Sequence, residues 1–93
     1  MLIGAIQIEL AIPWAMSIKD KRRAIKGLIQ RVQTRFRASC AEVGDNDNWR
    51  NAIIGVAVVS NDVKHLQSIC QKIVNFIEEH DATRLEDFAI EII

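Results

Sequence analysis

The sequence has no tyrosine, a single proline and only four glycines, and these shortages remove several classes of protein at once. Pro13 stands near the N-terminus, so no proline-rich segment marks an internal linker. With no repeat or low-complexity stretch either, residues 1–93 are expected to form a single domain. The glycines are scattered, which excludes a glycine-rich phosphate loop. Cys40 and Cys70 have no CxxC spacing and read as small buried hydrophobes of a reducing compartment, not as a disulfide or a thiolate metal site. His65 and His80 have no ligand-spaced acid or cysteine beyond the weak pair of His80 with Asp81, so both are expected at the surface, with no metal and no cofactor. No Ser, Cys or His is followed by a recognisable partner pattern, and a non-catalytic protein is expected. The apolar N-terminal run has no Lys or Arg ahead of it and is broken by Gln7 and Glu9. That fits neither a leader nor a membrane span, and a cytoplasmic protein is expected.

What remains is a chain with 49% apolar residues, enough for one hydrophobic core. Residues 2 to 12 alternate, with Ile6, Ile8, Leu10 and Ile12 on one side and Ala5, Gln7, Glu9 and Ala11 on the other, the period of a half-buried strand. Ser17 with Asp20 predicts a helix start near Ile18, and Ile25, Leu28, Ile29, Val32 and Phe36 form the apolar stripe of a helix running to about Phe36. Residues 38 to 43 read as an edge strand, followed by the turn formers of 44 to 48. From Ala52 to Val59 every residue is apolar or Gly, which predicts a central strand. Ser60, Asn61 and Asp62 offer caps for a second helix with the stripe Leu66, Ile69, Cys70, Ile73 and Ile77, ending near His80; Phe88, Ile90 and Ile92 alternate in a last strand. This βαββαβ order is the split βαβ arrangement of an α+β domain. Two helices cover one face of a four-stranded antiparallel sheet, and right-handed crossovers give the strand order 4-1-3-2.

Charge is sorted along the chain. Between Lys19 and Arg37 lie eight of the twelve basic residues and one acid, Asp20, although the formal net charge is zero. On a helix, Lys19, Arg23, Lys26 and Gln30 form an outward stripe, and Lys21 falls at the edge of the apolar face, where its stem is expected to pack while its ammonium reaches water. Topology gathers Asp45, Asp47, Glu78, Glu79, Asp81, Glu86 and Asp87 at the end where this helix starts, as candidates to screen Lys19 to Arg23. Arg31, Arg35 and Arg37 lie toward the other end with fewer acids nearby. Trp14, Met16 and Trp49 are expected to cap the core. The central strands carry no aromatic residue with which to stack bases on the sheet. Their apolar content predicts instead that a second subunit covers the open face, making a homo-oligomer.

The segment Ser17-Ile18-Lys19-Asp20-Lys21-Arg22-Arg23, together with Ala41-Glu42-Val43, Trp49, Ala52 and Gly55-Val56-Ala57-Val58-Val59-Ser60-Asn61-Asp62, resembles the YlxP-like family of small bacterial proteins across nearly the whole chain. The resemblance implies a ferredoxin-like fold and no assigned catalytic residue. It also implies, through the translation-related genes near which members are often encoded, a partner that is RNA or the ribosome. The 44–48 loop departs from the family, which more often has a His or another residue in the approach to the Trp. Acylphosphatases of this fold class hold phosphate with an arginine in the first loop, and metal chaperones place two cysteines there; Pro13-Trp14-Ala15-Met16 has neither. The expectation is a non-catalytic RNA- or ribosome-associated protein that uses Lys19, Arg23 and Lys26, with Arg31, Arg35 and Arg37 as a second patch. The alternative is a self-associating structural or protein-interaction module with no nucleic-acid role.

Overall fold

The computed structural model describes residues 1–93. The elements are β1 (Leu2–Ala11), α1 (Ile18–Phe36), β2 (Ser39–Gly44), β3 (Asn51–Ser60), α2 (Val63–Glu78) and β4 (Arg84–Ile92). The sheet order is β2-β3-β1-β4 with every neighbour antiparallel, which read from the other edge is the expected 4-1-3-2.

Period-two patterning decides which face of the sheet is dry. Ile6, Ile8 and Leu10 of β1, with Ala52, Ile54 and Val56 of β3, are buried beneath the helices. Ile25, Leu28 and Val32 of α1 and Cys70, Ile73 and Ile77 of α2 close the same core from above. The intervening residues of β1 and β3, among them Gln7, Glu9, Ala57 and Val59, face solvent on the open side. Gly4 lets α2 approach β1: a Cβ there would stand 2.7 Å from Cys70 Sγ.

The caps form as the sequence predicts. Ser17 Oγ accepts from the Asp20 amide at 3.1 Å, which satisfies one free donor of the first turn of α1, while Asp20 Oδ2 accepts from the amide of Met16, just ahead of the cap, at 3.0 Å. Of the three candidate caps for α2, Asp62 is used, accepting from the His65 amide at 3.2 Å.

The last strand begins at Arg84, four residues earlier than its alternation predicts. The register explains this. Leu85 pairs with Leu10 and Phe88 with Ile8, with a bulge between, so two apolar residues at odd spacing share the helix-facing side. A second irregularity lies between Glu42 and Gly44, where Glu42 pairs with Ile54 and Gly44 with Ile53. It leaves Glu42 beside Ile54 on the helix-facing side of the sheet edge.

Candidate nucleic-acid interface

The basic segment folds into α1 and divides by burial. Lys21 is 0% exposed, contrary to the expectation that its ammonium reaches water. Its Nζ donates to the carbonyl oxygens of Asp45 at 2.6 Å and Asn48 at 2.5 Å, and lies 2.8 Å from Glu42 Oε2. That last contact is an ion pair and not an aligned hydrogen bond, and Oε2 has no other polar partner. Lys21 is thus a structural clamp joining α1 to β2 and to the turn that follows it. Asp45 in that turn has φ 58°, a left-handed conformation that costs a non-glycine residue strain.

The other seven basic residues of the segment, Lys19, Arg22, Arg23, Lys26, Arg31, Arg35 and Arg37, are exposed. The acids expected to screen Lys19 to Arg23 do not pair with them. The ion pairs of the protein are Lys21 with Glu42 and Arg84 with Glu86, and the charges of the α1 surface are solvated. The reason is geometric. Glu42, at the sheet edge, is taken by Lys21, while Arg84 holds Glu86 on its own strand at 2.8 Å.

Side-chain direction then separates the candidate residues. Arg23, Arg31 and Arg35 border a groove between α1 and the end of α2, whereas Lys19 and Lys26 are not among its lining and Arg37 caps α1 with φ 52°. Three adjoining cavities of about 270, 460 and 520 Å³ make up the groove, and Arg31 borders all three. Phe76, Glu79, His80 and Asp81 form the opposite wall, so Arg31, expected to have fewer acids nearby, shares the groove with two of them. The Arg35 guanidinium lies 5.2 Å from the centre of the Phe76 ring and 5.7 Å from that of Phe36, and the two rings meet edge to face at 5.5 Å.

His80 is partly buried, not a free surface histidine. Burial lowers its pKa and the neighbouring Arg31 charge lowers it further, against a smaller opposing effect of Asp81, so the ring favours its neutral form. Trp14 does not cap the core; it is 48% exposed, and its indole N–H donates to the Ala82 carbonyl at 2.8 Å. Trp49 is also exposed and carries the Arg50 guanidinium 5.6 Å from its ring, while Arg50 Nε donates to the Ala15 carbonyl at 3.2 Å.

The sequence reading missed the aromatic side of this groove and the place of Gly27 on its wall. The signal was present as the spacing of four between Arg23, Gly27, Arg31 and Arg35, which places them along one side of a helix. No three His, Cys, Asp or Glu side chains converge as a metal set, and no helix is long and apolar enough to cross a membrane.

Fold and surface together define a ferredoxin-like α+β domain whose first helix sets arginines without a salt-bridge partner along a groove that Glu79 and Asp81 also line. Comparison with solved structures agrees on the fold: a de novo designed protein with a ferredoxin fold, solved by solution NMR, superposes with a TM-score of 0.59 at 16% identity, covering 100% of this chain and 84% of that one. Residues 3–90 match the family described as Protein of unknown function (DUF503), and the chain belongs to that family. The uncharacterized protein YlxP of Bacillus subtilis (strain 168) is 34% identical over 92 residues, spanning 94% of this chain and 100% of that protein.

Proposed function

We propose that this is a non-catalytic, cytoplasmic RNA-binding protein, acting on the ribosome or on RNA, with α1 as its binding element. The observation that carries the reading is the seven exposed basic residues between Lys19 and Arg37 that have no carboxylate partner in the fold. Like charges four apart, as in Lys19 with Arg23 and Arg31 with Arg35, each cost a helix about 0.2 to 0.5 kcal/mol. Phosphates would relieve that repulsion and release counterions as they bind. Arg23, Arg31 and Arg35 supply the central contacts, and Lys19, Lys26 and Arg37 extend the field along the helix.

The test is a titration of a labelled RNA oligomer against salt, followed by fluorescence polarisation. Neutralising about four phosphates gives a log–log slope near −3 on a single strand. A flat response around physiological salt, or no complex with total RNA at low salt, overturns the reading.

A second reading is self-association through the open sheet face as a structural or protein-interaction module. It is supported by a shallow trough of about 510 Å³ there, floored by small residues such as Ala5, Gly55, Ala57 and Ala89. Val43 and Val59 on the same face are 59% and 63% exposed. Light scattering at micromolar concentration decides it: a strict monomer removes this reading, and a dimer lost on Ala57→Glu supports it.

A further inference from the structure

Gly27 stands in the middle of α1, where glycine costs a helix more than alanine because it gives up the most backbone freedom on folding. Nothing inside the protein requires it, since a Cβ built on Gly27 meets no atom within 4 Å. The helix backbone is bare at a point where the fold has room for a side chain. This notch falls between Arg23 and Arg31 on the wall of the groove, with Arg35 one further step along.

Two flat surfaces mark the groove's ends. Trp14 is exposed, yet its indole is pinned by the Ala82 carbonyl, so the ring is held in one orientation without being covered. At the other end the Arg35 guanidinium rests over Phe76 and Phe36. Gln30 and Thr34, uncharged donors and acceptors, lie between the arginines, and Glu79 and Asp81 stand across from Arg31, so three cations face two acids along the groove.

We infer that this groove is a binding site for single-stranded RNA, crossing α1 at Gly27, with phosphates on Arg23, Arg31 and Arg35 and bases stacked on Trp14 and on the Arg35–Phe76 platform. The inference rests on the RNA-binding reading and names the surface and the form of RNA it takes. A single strand is selected because rings inside a groove reach only bases that are unpaired and unstacked. RNA is selected over DNA because Gln30 and Thr34 can hydrogen-bond a 2′-hydroxyl, which both donates and accepts. From Arg23 to Arg35 the helix rises about 18 Å, the length of about five stacked nucleotides.

The decisive variant is Gly27→Gln, which adds a neutral, helix-favouring side chain that the free protein has space for. It is expected to raise Tm by about 2 to 5 °C. It is also expected to weaken binding of a mixed-sequence RNA decamer at low salt by about tenfold, since the strand then loses its approach to the helix and at least one stacked base. Trp49→Phe leaves Trp14 as the sole tryptophan, and its fluorescence should be quenched on titration with the same decamer.

Higher Tm with weaker binding, together with quenching of Trp14, supports the groove. Unchanged RNA affinity in Gly27→Gln overturns the groove while leaving RNA binding by α1 standing. No RNA complex with the parent protein overturns both. Equal affinity for the DNA decamer overturns the choice of RNA, and preference for duplex overturns the single strand. Self-association that Gly27→Gln abolishes would make the notch a contact between copies of the chain and overturn the inference as well.

Discussion

Lys21 shows how one residue is committed by its surroundings and not by its type. A buried ammonium is tolerated only where it is hydrogen-bonded and its charge is paired, and Lys21 has two carbonyl acceptors and the ion pair with Glu42. Lys21→Met leaves the buried Oε2 of Glu42 without its counter-charge and frees the Asp45 and Asn48 carbonyls. The expected loss is about 3 to 5 kcal/mol of unfolding free energy, read from urea denaturation. A loss below about 1 kcal/mol would show the ammonium to be solvated after all. Replacing Glu42 by Gln in the same variant should restore part of the stability, because a neutral amide is cheaper to bury. From the sequence, Lys21 sits at a helix edge among other bases, and its partner is chosen by the β2 register, which no local pattern encodes. His80 makes a second prediction at this scale. It faces Arg23 and Arg31 from α1, Glu79 at the C-cap of α2 and Asp81 in the following turn, and its pKa lies below the ordinary 6.5 through burial and the Arg31 charge. The unfolded chain therefore binds the proton more readily than the folded one. The stabilising contribution is present in full above about 6.5 and is lost as pH falls from there to the lowered value. Denaturation midpoints measured between pH 7.5 and 5 should decline, and His80→Gln should reduce the decline.

Helices and strands respond to the same residue type with opposite signs, depending on what lies across from it. Gly27 on α1 opens to empty space, whereas Gly4 on β1 is where α2 comes closest, 2.7 Å from a would-be Cβ to Cys70 Sγ. Gly4→Ala forces α2 away from the sheet or moves Cys70 off its rotamer, and the expected cost is about 1 to 3 kcal/mol. Thermal unfolding of the two glycine variants side by side should shift Tm down for Gly4→Ala and up for Gly27→Gln. An unshifted Gly4→Ala would mean that the helix is free to slide over β1. Element existence was legible because α1 and α2 carry unbroken stripes and β1 alternates without a fault. The start of β4 was not legible, because a bulge puts Leu85 and Phe88 on one side at a spacing of three, which is helical and breaks the alternation of a strand. The groove was half legible. Its arginines stand out in the sequence, but Phe76, His80 and Trp14 come to it from α2, the turn after it and the first loop, and only the packing of those parts brings them together.

The whole molecule is neutral yet electrically lopsided. The α1 side carries the unpaired bases, while Glu9 lies directly across from Asp87 on the open sheet face, with Glu91 further along β4. Their side chains alternate away from Ile8 and Ile90, which point into the core side, so these acids lie beyond the sheet from the helices. The molecule measures 42 × 20 × 18 Å, so acids and bases on opposite layers are separated by a distance comparable to its shorter dimensions. At physiological salt the Debye length is about 8 Å, and a phosphate docking on α1 feels the helix with little of the far acids. At 0.01 M it is about 30 Å, which exceeds the thickness of the protein, and the same phosphate then feels a body of zero net charge. RNA affinity should therefore flatten as salt is lowered toward 0.01 M instead of continuing to climb on the slope seen at higher salt. Replacing Glu9, Asp87 and Glu91 by their amides should raise affinity strongly at the lowest salt and hardly at 0.15 M, while Arg31→Glu should weaken binding at both. Polarisation titrations of the two variants across that range provide the check. If the triple amide variant gains equally at every salt concentration, the acids contact the RNA or its path directly, and the partner is approaching from the sheet and not from α1.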